Sequence, residues 1–352
     1  MKNIYSTKQD CFNRIRYKSY SDIVLIMNIL TWYRATLYYI MLILYTVFYV
    51  IIGDIISIFF PIQVYSADFS YYFSSTLLFI CRLVGIRIHL KTESEQEDFD
   101  YELSKRALWI SNHRSTFDGT LITAVLRVCG SKIIITGKKE ITYYPLFGSM
   151  ASHANTIFIK RHCDQTINDL QIRAADTVAS GNSILLFPEG SALSPVMKVK
   201  TDDYVRSIGV VPFKNLLVPK VKGFEIIKEY GKFDLVGNVT IRYDNPCIPG
   251  VMHHTFTTIF KIFPKDIYLN IKFDQGSDLY QIFSEKDREL DEPINKSEYK
   301  TFDNYSCGSF LINIALLVSF LVSFYYFPLF RYIMLGIVMV ISIRDVMNYR
   351  NF

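Results

Sequence analysis

Apolar positions fall into three regimes along this 352-residue chain. From Leu37 to Phe60 they run almost without interruption, LYYIMLILYTVFYVIIGDIISIFF, relieved only by Gly53, Asp54 and a few hydroxyls. Such a stretch is long enough to cross a hydrocarbon core about 30 Å thick and predicts a membrane-associated helix. A second apolar block, Phe310 to Ile343, is broken by Pro328 and Arg331. It reads either as one span with a trailing interfacial helix or as a shallow hairpin. Between the blocks the pattern is that of a globular α/β protein. Gly85-IRIHL alternates, ALWIS before Asn112 is a short buried run, and KIIIT, NTIFIK, SILLF, NVTIRY and DIYLNIKF read as strands bounded by turn residues. Helical stretches separate them. After Asp164, a potential N-cap, Ile167, Leu170, Ala174 and Val178 share one face, and Gly181 supplies a left-handed stop.

The expected organisation has five parts: a polar segment over residues 1–21, a membrane-associated helical region over 22–60, an α/β domain over 61–275, a surface helix and linker over 276–305, and a C-terminal membrane region over 306–352. The fold class is α/β, a central mixed sheet with flanking helices plus N- and C-terminal membrane-associated helices. The polar start, with Lys2, Lys8, Arg14, Arg16 and Lys18, is too long and mixed for the n-region of a cleaved signal peptide.

Composition narrows the function. Apolar residues make up 50% and charged residues only 20%, which excludes an intrinsically disordered chain. A net charge of +5 is too small to mark a nucleic-acid binder but suits an anionic membrane face. Cys11, Cys81, Cys129, Cys163, Cys247 and Cys307 contain no C-x-x-C pair, so neither a zinc site nor a disulfide framework is expected, and reduced thiols in an intracellular setting fit best.

Chemistry concentrates at strand ends. Asn112-His113-Arg114-Ser115-Thr116-Phe117-Asp118 follows the strand Ala107 to Ser111 and precedes a helical run. Four intervening residues let the chain fold back, so that Asp118 could accept the Nδ1 proton of His113 and leave Nε2 as a general base. Taken alone, the pair is more simply a surface histidine in a turn and an aspartate N-cap. Phe187-Pro188-Glu189-Gly190-Ser191 places a carboxylate and a flexible backbone after the strand Ser183 to Leu186, and strand ends of α/β sheets are where ligands bind. Between these motifs, Gly137-Lys138-Lys139-Glu140 and Pro145-Leu146-Phe147-Gly148 lead to Ile157-Phe158-Ile159-Lys160-Arg161, which ends in two adjacent cations suited to a phosphate or simply solvated. Leu217-Val218-Pro219-Lys220 supplies a turn that could line the same cleft.

In order and spacing, NHRSTFD, GKKE with PLFG and IFIKR, FPEGS and LLVPK resemble the four blocks of the glycerolipid acyltransferase superfamily, over about Gly85 to Asn245. The flanking features look most like the branch holding 1-acylglycerol-3-phosphate and lysocardiolipin acyltransferases, although Gly119 stands where that branch usually has a bulky aromatic. The resemblance implies that His113 and Asp118 are a catalytic dyad. It also implies that Glu189 and Gly190, with Arg161, hold the phosphate and glycerol of the acceptor. Lys160 joins them on charge alone, the backbone near the second block or Lys139 is a candidate oxyanion donor, and Pro219 shapes the cleft. Expected partners are acyl-CoA as co-substrate, a lysophospholipid and an intracellular membrane, most simply the endoplasmic reticulum. No permanently bound cofactor, metal or nucleic acid is expected.

Other readings fit less well. A serine hydrolase would need G-x-S-x-G, and Gly181-Asn182-Ser183 continues instead as Ile184-Leu185. The run Gly130 to Lys138 has the wrong spacing for a P-loop, and Lys139 stands where Ser or Thr is required. His253-His254 has no further ligand at metal spacing. A membrane-anchored lipid-binding scaffold without turnover would keep the fold, but intact His113, Asp118 and Glu189 argue against it.

Overall fold

The computed structural model of the chain describes residues 40–60, 62–93, 96–115, 117–143, 147–160, 165–244, 265–274 and 278–303, with a few isolated positions beyond them. The polar N-terminal segment, most of the C-terminal apolar block, Arg161 and His253-His254 lie outside the described residues.

Two helices come first, α1 (Ile40–Phe59) and α2 (Ile62–Leu83). Among the described residues α1 is the one helix long and apolar enough to cross a membrane. Of Gly53, Asp54 and Pro61, the residues at its far end where a turn would be easiest, the first two sit inside this continuous helix, Pro61 lies outside the described residues, and α2 begins at Ile62. A single carboxylate does not break a helix when it finds a partner, and Asp54 Oδ1 is 3.1 Å from Nε2 of His153 in the domain. The two helices run antiparallel. The Tyr45 hydroxyl donates to the carbonyl of Tyr72 at 3.0 Å, and the Tyr49 ring lies 5.1 Å from Phe69.

The domain continues with β1 (Arg87–Thr92), α3 (Gln96–Ser104), β2 (Ala107–Ser111), α4 (Asp118–Val128), β3 (Ile133–Lys138), a 3-10 turn (Lys139–Tyr143), α5 (Phe147–His153), β4 (Ile157–Ile159), α6 (Gln165–Ala179), β5 (Ser183–Leu186), α7 (Pro195–Ser207), α8 (Val221–Gly231), β6 (Leu235–Tyr243), β7 (Asp266–Asp274), α9 (Leu279–Asp291) and β8 (Lys300–Thr301). The strands form one mixed sheet in the order β4-β3-β5-β2-β6-β7-β1-β8. The first five are mutually parallel, β7 runs antiparallel to β6, and β1 pairs parallel with β7.

The run ALWIS is apolar on both faces because helices cover both faces of β2, which is buried throughout. On one side Trp109 packs with Leu121, Ile122 and Val125 of α4 and with Leu77 and Leu78 of α2. On the other, Leu108 and Ile110 meet Leu170 and Ala174 of α6, Phe224 and Ile227 of α8, and Ile282 and Phe283 of α9. The helical pair thus lies along the domain, α2 on α4 and the far end of α1 on α5, with Ile40, Ile43, Leu44, Ile58, Phe59 and Phe60 exposed.

The segment over 276–305 supplies two elements of the domain. Leu279, Ile282, Phe283 and Lys286 form a buried face of α9, and β8 joins the sheet edge beside β1. Burying Phe283 alone is worth about 1.5–3 kcal/mol, which helps hold a helix whose opposite face is mostly polar and charged.

Candidate active site

All five parallel strands point their C-terminal ends toward one edge, so the residues that follow β2, β5 and β3 emerge side by side. Asn112 makes the exit from β2. Its side-chain Oδ1 accepts the N–H of Ile241 at 2.9 Å and its Nδ2 donates to the carbonyl of Ile241 at 3.0 Å, which continues the β2–β6 ladder with a side chain while the backbone turns away. His113 is thereby presented at the sheet edge.

The backbone of His113 is held from both sides by the chain after β5. Its N–H donates to Glu189 Oε1 at 2.8 Å, and its carbonyl accepts the N–H of Leu193 at 2.7 Å. The other Glu189 oxygen accepts the N–H of Leu217 at 2.9 Å. One buried carboxylate therefore ties the first motif to the fourth. Burial pushes the Glu189 carboxyl up to about 7, opposed by the N–H donors of Leu217 and His113 and by the charges of His113 and Lys286. Lys286, wholly inside the protein, donates to the carbonyl of Val239, and burial pulls its ammonium down to about 7. Gly190 adopts φ +67°, the left-handed region in which glycine is favoured, so the chain can turn directly after Glu189.

Nδ1 of His113 lies 3.0 Å from Oδ2 of Asp118. The same oxygen accepts the N–H of Ser115 at 2.7 Å and that of Arg114, while Oδ1 accepts the hydroxyl of Tyr243. Asp118 is the first residue of α4 and fully buried, and the positive end of the helix favours its charge. Accepting on Nδ1–H fixes the imidazole in the tautomer whose Nε2 carries the lone pair. Nε2 has no bonded partner among the described residues, the side chain is 21% exposed, and its ring rests on Phe187 with centroids 4.4 Å apart. A fixed carboxylate, a tautomer-locked imidazole and an accessible Nε2 can together move a proton to and from a bound hydroxyl.

Residues 85–218 match the family model described as Acyltransferase. The chain is 25% identical over 178 residues to lysocardiolipin acyltransferase 1 of Danio rerio, an overlap of 48% of this chain and 44% of that protein. It is 26% identical over 259 residues to the 2-acyl-1-lysophosphatidylinositol acyltransferase of Saccharomyces cerevisiae, covering 59% and 64%. It is also 30% identical over 107 residues to the 1-acyl-sn-glycerol-3-phosphate acyltransferase of Neisseria meningitidis, covering 30% and 35%. Over residues 85–218 the chain is similar to enzymes of the glycerolipid acyltransferase superfamily. It spans about half the length of the curated relatives first matched, 44% and 46% of the two lysocardiolipin enzymes.

Within this acyltransferase domain the remaining motif residues are spread along the sheet edge. Pro219 is buried beside the third motif, where the N–H of Lys220 donates to the carbonyl of Pro188 at 2.8 Å. Lys139 follows β3 and Lys160 follows β4, two and three strands from β2. At about 4.8 Å per strand the backbones are on the order of 10 and 14 Å from that of His113. Gly119 has a packing reason: a Cβ there would lie 2.4 Å from Cδ1 of Ile135, so α4 approaches β3 more closely than a side chain would allow. Glu189 was expected at the acceptor, and its carboxylate lies inside, 2% exposed, bonded to backbone. Sequence reasoning missed the ladder role of Asn112, the hydroxyl of Tyr243 and the ammonium of Lys286. Only the first had a sequence signal, an amide at the last position before the strand turns.

Proposed function

We propose that the chain is a membrane-bound, acyl-CoA-dependent lysophospholipid acyltransferase in which His113 and Asp118 act as the general-base dyad. The observation that carries this is the 3.0 Å contact of Nδ1 with a carboxylate already held by two backbone N–H groups and a hydroxyl, with Nε2 left accessible. Nε2 takes the proton of the acceptor hydroxyl as its oxygen attacks the thioester carbonyl. The charge of Asp118 stabilises the imidazolium. Collapse of the tetrahedral intermediate breaks the carbon–sulfur bond, and the proton on Nε2 passes to the departing thiolate, which leaves the dyad as it began. Lys139 is the candidate donor to the oxyanion, and Lys160 with Arg161 supplies cations for substrate phosphate. Glu189 acts through the backbone of His113, and Gly190 and Pro219 shape the turns beside it.

Among acceptors, 1-acyl-sn-glycerol 3-phosphate is the first reading, giving phosphatidic acid. The larger overlap with relatives named for lysocardiolipin and lysophosphatidylinositol favours a second reading, a remodelling enzyme for acceptors with larger headgroups. Purified protein offered acyl-CoA and a panel of lysophospholipids, with free thiol measured, separates the two. The proposal fails if no lysophospholipid is acylated, or if His113→Ala retains the wild-type rate.

The exposed apolar stripe of α1 is read as the membrane contact. Because α2 returns antiparallel to α1 and both lie along the domain, the hairpin can enter one leaflet and keep the domain on the side from which the chain came. On this reading His113 is on the cytosolic side, where acyl-CoA is found, and the endoplasmic reticulum is the simplest such membrane. A glycosylation tag beside Glu93 that became modified in sealed microsomes would overturn this topology.

A further inference from the structure

The Asp118 carboxylate is shared unequally. Oδ2 faces the imidazole of His113 and the N–H groups of Arg114 and Ser115, whereas Oδ1 accepts only the hydroxyl of Tyr243 among the described residues. Tyr243 is the last residue of β6, 125 positions away in sequence and outside all four motifs. It reaches the site because β6 runs four residues beyond the β2 register, which ends at Ser111 opposite Val239. Asn112 bonds to Ile241 on that overhang, so the bond that turns His113 outward also fixes where the Tyr243 ring starts.

We propose that Tyr243 is a positioning residue of the acyl transfer: its hydroxyl holds Oδ1, keeps Oδ2 aimed at the imidazole and limits how strongly Asp118 draws a proton onto His113. A hydrogen bond to one oxygen of a carboxylate takes part of the shared charge, so the other oxygen becomes a weaker partner for imidazolium. Removing it lets the carboxylate rotate and concentrates charge on Oδ2. The other charged groups around the pair are Arg114 in the same turn, Glu189 after β5, Arg242 beside Tyr243, and Lys286 of α9 behind Glu189. Arginine is charged throughout the working range. Glu189 and Lys286 are present alike in every variant below, so the differences between variants report Tyr243.

This inference rests on His113 being the general base, and its test is arranged to separate the two. Full-length protein in phospholipid nanodiscs, labelled at the imidazole Cε1, is titrated by NMR, with His113→Ala identifying the resonance. Tyr243→Phe keeps the ring and its packing. The His113 midpoint should rise by about half a pH unit, and the acid limb of kcat should move up with it. kcat at its optimum should fall about tenfold while KM stays within about twofold, as expected when a group acts through the base. Incorporating 3-fluorotyrosine at 243 strengthens the donor and should move the midpoint the other way, which a purely structural role would not do. A His113 midpoint unchanged in both variants overturns the role of Tyr243, whether or not Tyr243→Phe is destabilised. If both midpoints shift in opposite directions but His113→Ala still turns over at the wild-type rate, the coupling stands and the general-base reading falls.

Discussion

Asp118→Asn isolates the charge of the dyad from its geometry. The carboxylate is buried and fully bonded, with Oδ2 receiving Nδ1 of His113 and two backbone N–H groups and Oδ1 receiving the Tyr243 hydroxyl. An amide can keep its oxygen at the Oδ2 position and place its NH2 at Oδ1, where the Tyr243 hydroxyl rotates to accept. The backbone turn therefore survives, and the loss of stability should stay near 1–2 kcal/mol, the range for one charge-assisted hydrogen bond made neutral. What disappears is the carboxylate charge beside the imidazolium of the transition state. At the observed 3.0 Å, Coulomb's law with an effective dielectric of about 20 gives about 5.5 kcal/mol as the full interaction. Proton transfer is incomplete in the transition state and the His113 ring is 21% exposed, so roughly half to three quarters of that should appear, about 3–4 kcal/mol or a factor of about 10²–10³ in kcat. KM should move little, because Asp118 has no exposed surface for substrate. The sign of the pH effect also follows. Without the carboxylate the imidazolium is less favoured, so the acid limb of kcat should move to lower pH. The assay is thiol release from acyl-CoA with a lysophospholipid between pH 5 and 9, with urea unfolding in parallel. A kcat within threefold of wild type at every pH would refute the dyad. An unfolded variant would refute the claim that an amide fits this pocket.

Glu189→Ala should cost about 2–5 kcal/mol in urea unfolding, since it strands the buried N–H groups of His113 and Leu217, and a loss below 1 kcal/mol would show that these bonds do not hold the motifs together. The pH dependence of stability should have a minimum near neutrality. Glu189, raised from 4.5 to about 7, makes the native state hold a proton that the unfolded chain has lost, so stability falls as pH rises through that window. Lys286, lowered from 10.5 to about 7, makes the unfolded chain hold the extra proton, so stability rises from pH 7 upward. Lys286→Met should abolish the rise between pH 7 and 9 in urea midpoints, and equal slopes in the two proteins would contradict the buried amine. Replacing Ile58, Phe59 and Phe60 together by serine should reduce flotation with anionic vesicles, and unchanged flotation would remove the turn of the helical hairpin from the membrane contact.

What could be read from the sequence follows the range over which the physics acts. The strands ALWIS and SILL are buried throughout, and a short, almost wholly apolar run between turn signals has few alternatives. The face formed by Leu170, Ala174 and Val178 and the stop at Gly181, with φ +75°, are likewise local. The dyad was legible because both partners lie within one turn. Tyr243 was not, since its meeting with Asp118 depends on strand register across 125 residues, which no local pattern encodes. The packing of the segment over 276–305 was hidden for a related reason. Charged residues dominate its composition, and a buried lysine, Lys286, occupies one of the four positions that face the core. The partner that lets Asp54 sit inside a helix, His153, is 99 residues away and equally outside any local pattern.

The buried groups around His113 have a common consequence. The backbone N–H and carbonyl of His113 are both taken by the chain after β5, its Nδ1 by Asp118, and its ring face by Phe187. Each contact removes one freedom of the residue and leaves Nε2 as the atom without a partner among the described residues. For a base that must meet a hydroxyl on a lipid and a thioester from solution, this matters more than basicity. The barrier that orientation removes would otherwise be met anew by every encounter between two unlike substrates. The hairpin extends the same logic to the larger scale. Asp54 of α1 bonds to His153, the last residue of α5, and the loop after α5 leads into β4 and Lys160. If the exposed stripe of α1 lies in a leaflet, this buried contact helps fix the depth of that leaflet relative to the sheet edge. His153→Ala should then slow turnover on lysophospholipid in vesicles much more than on the same acceptor below its micellar concentration, where no interface has to be aligned. An equal loss in both assays would assign Asp54 and His153 to stability alone.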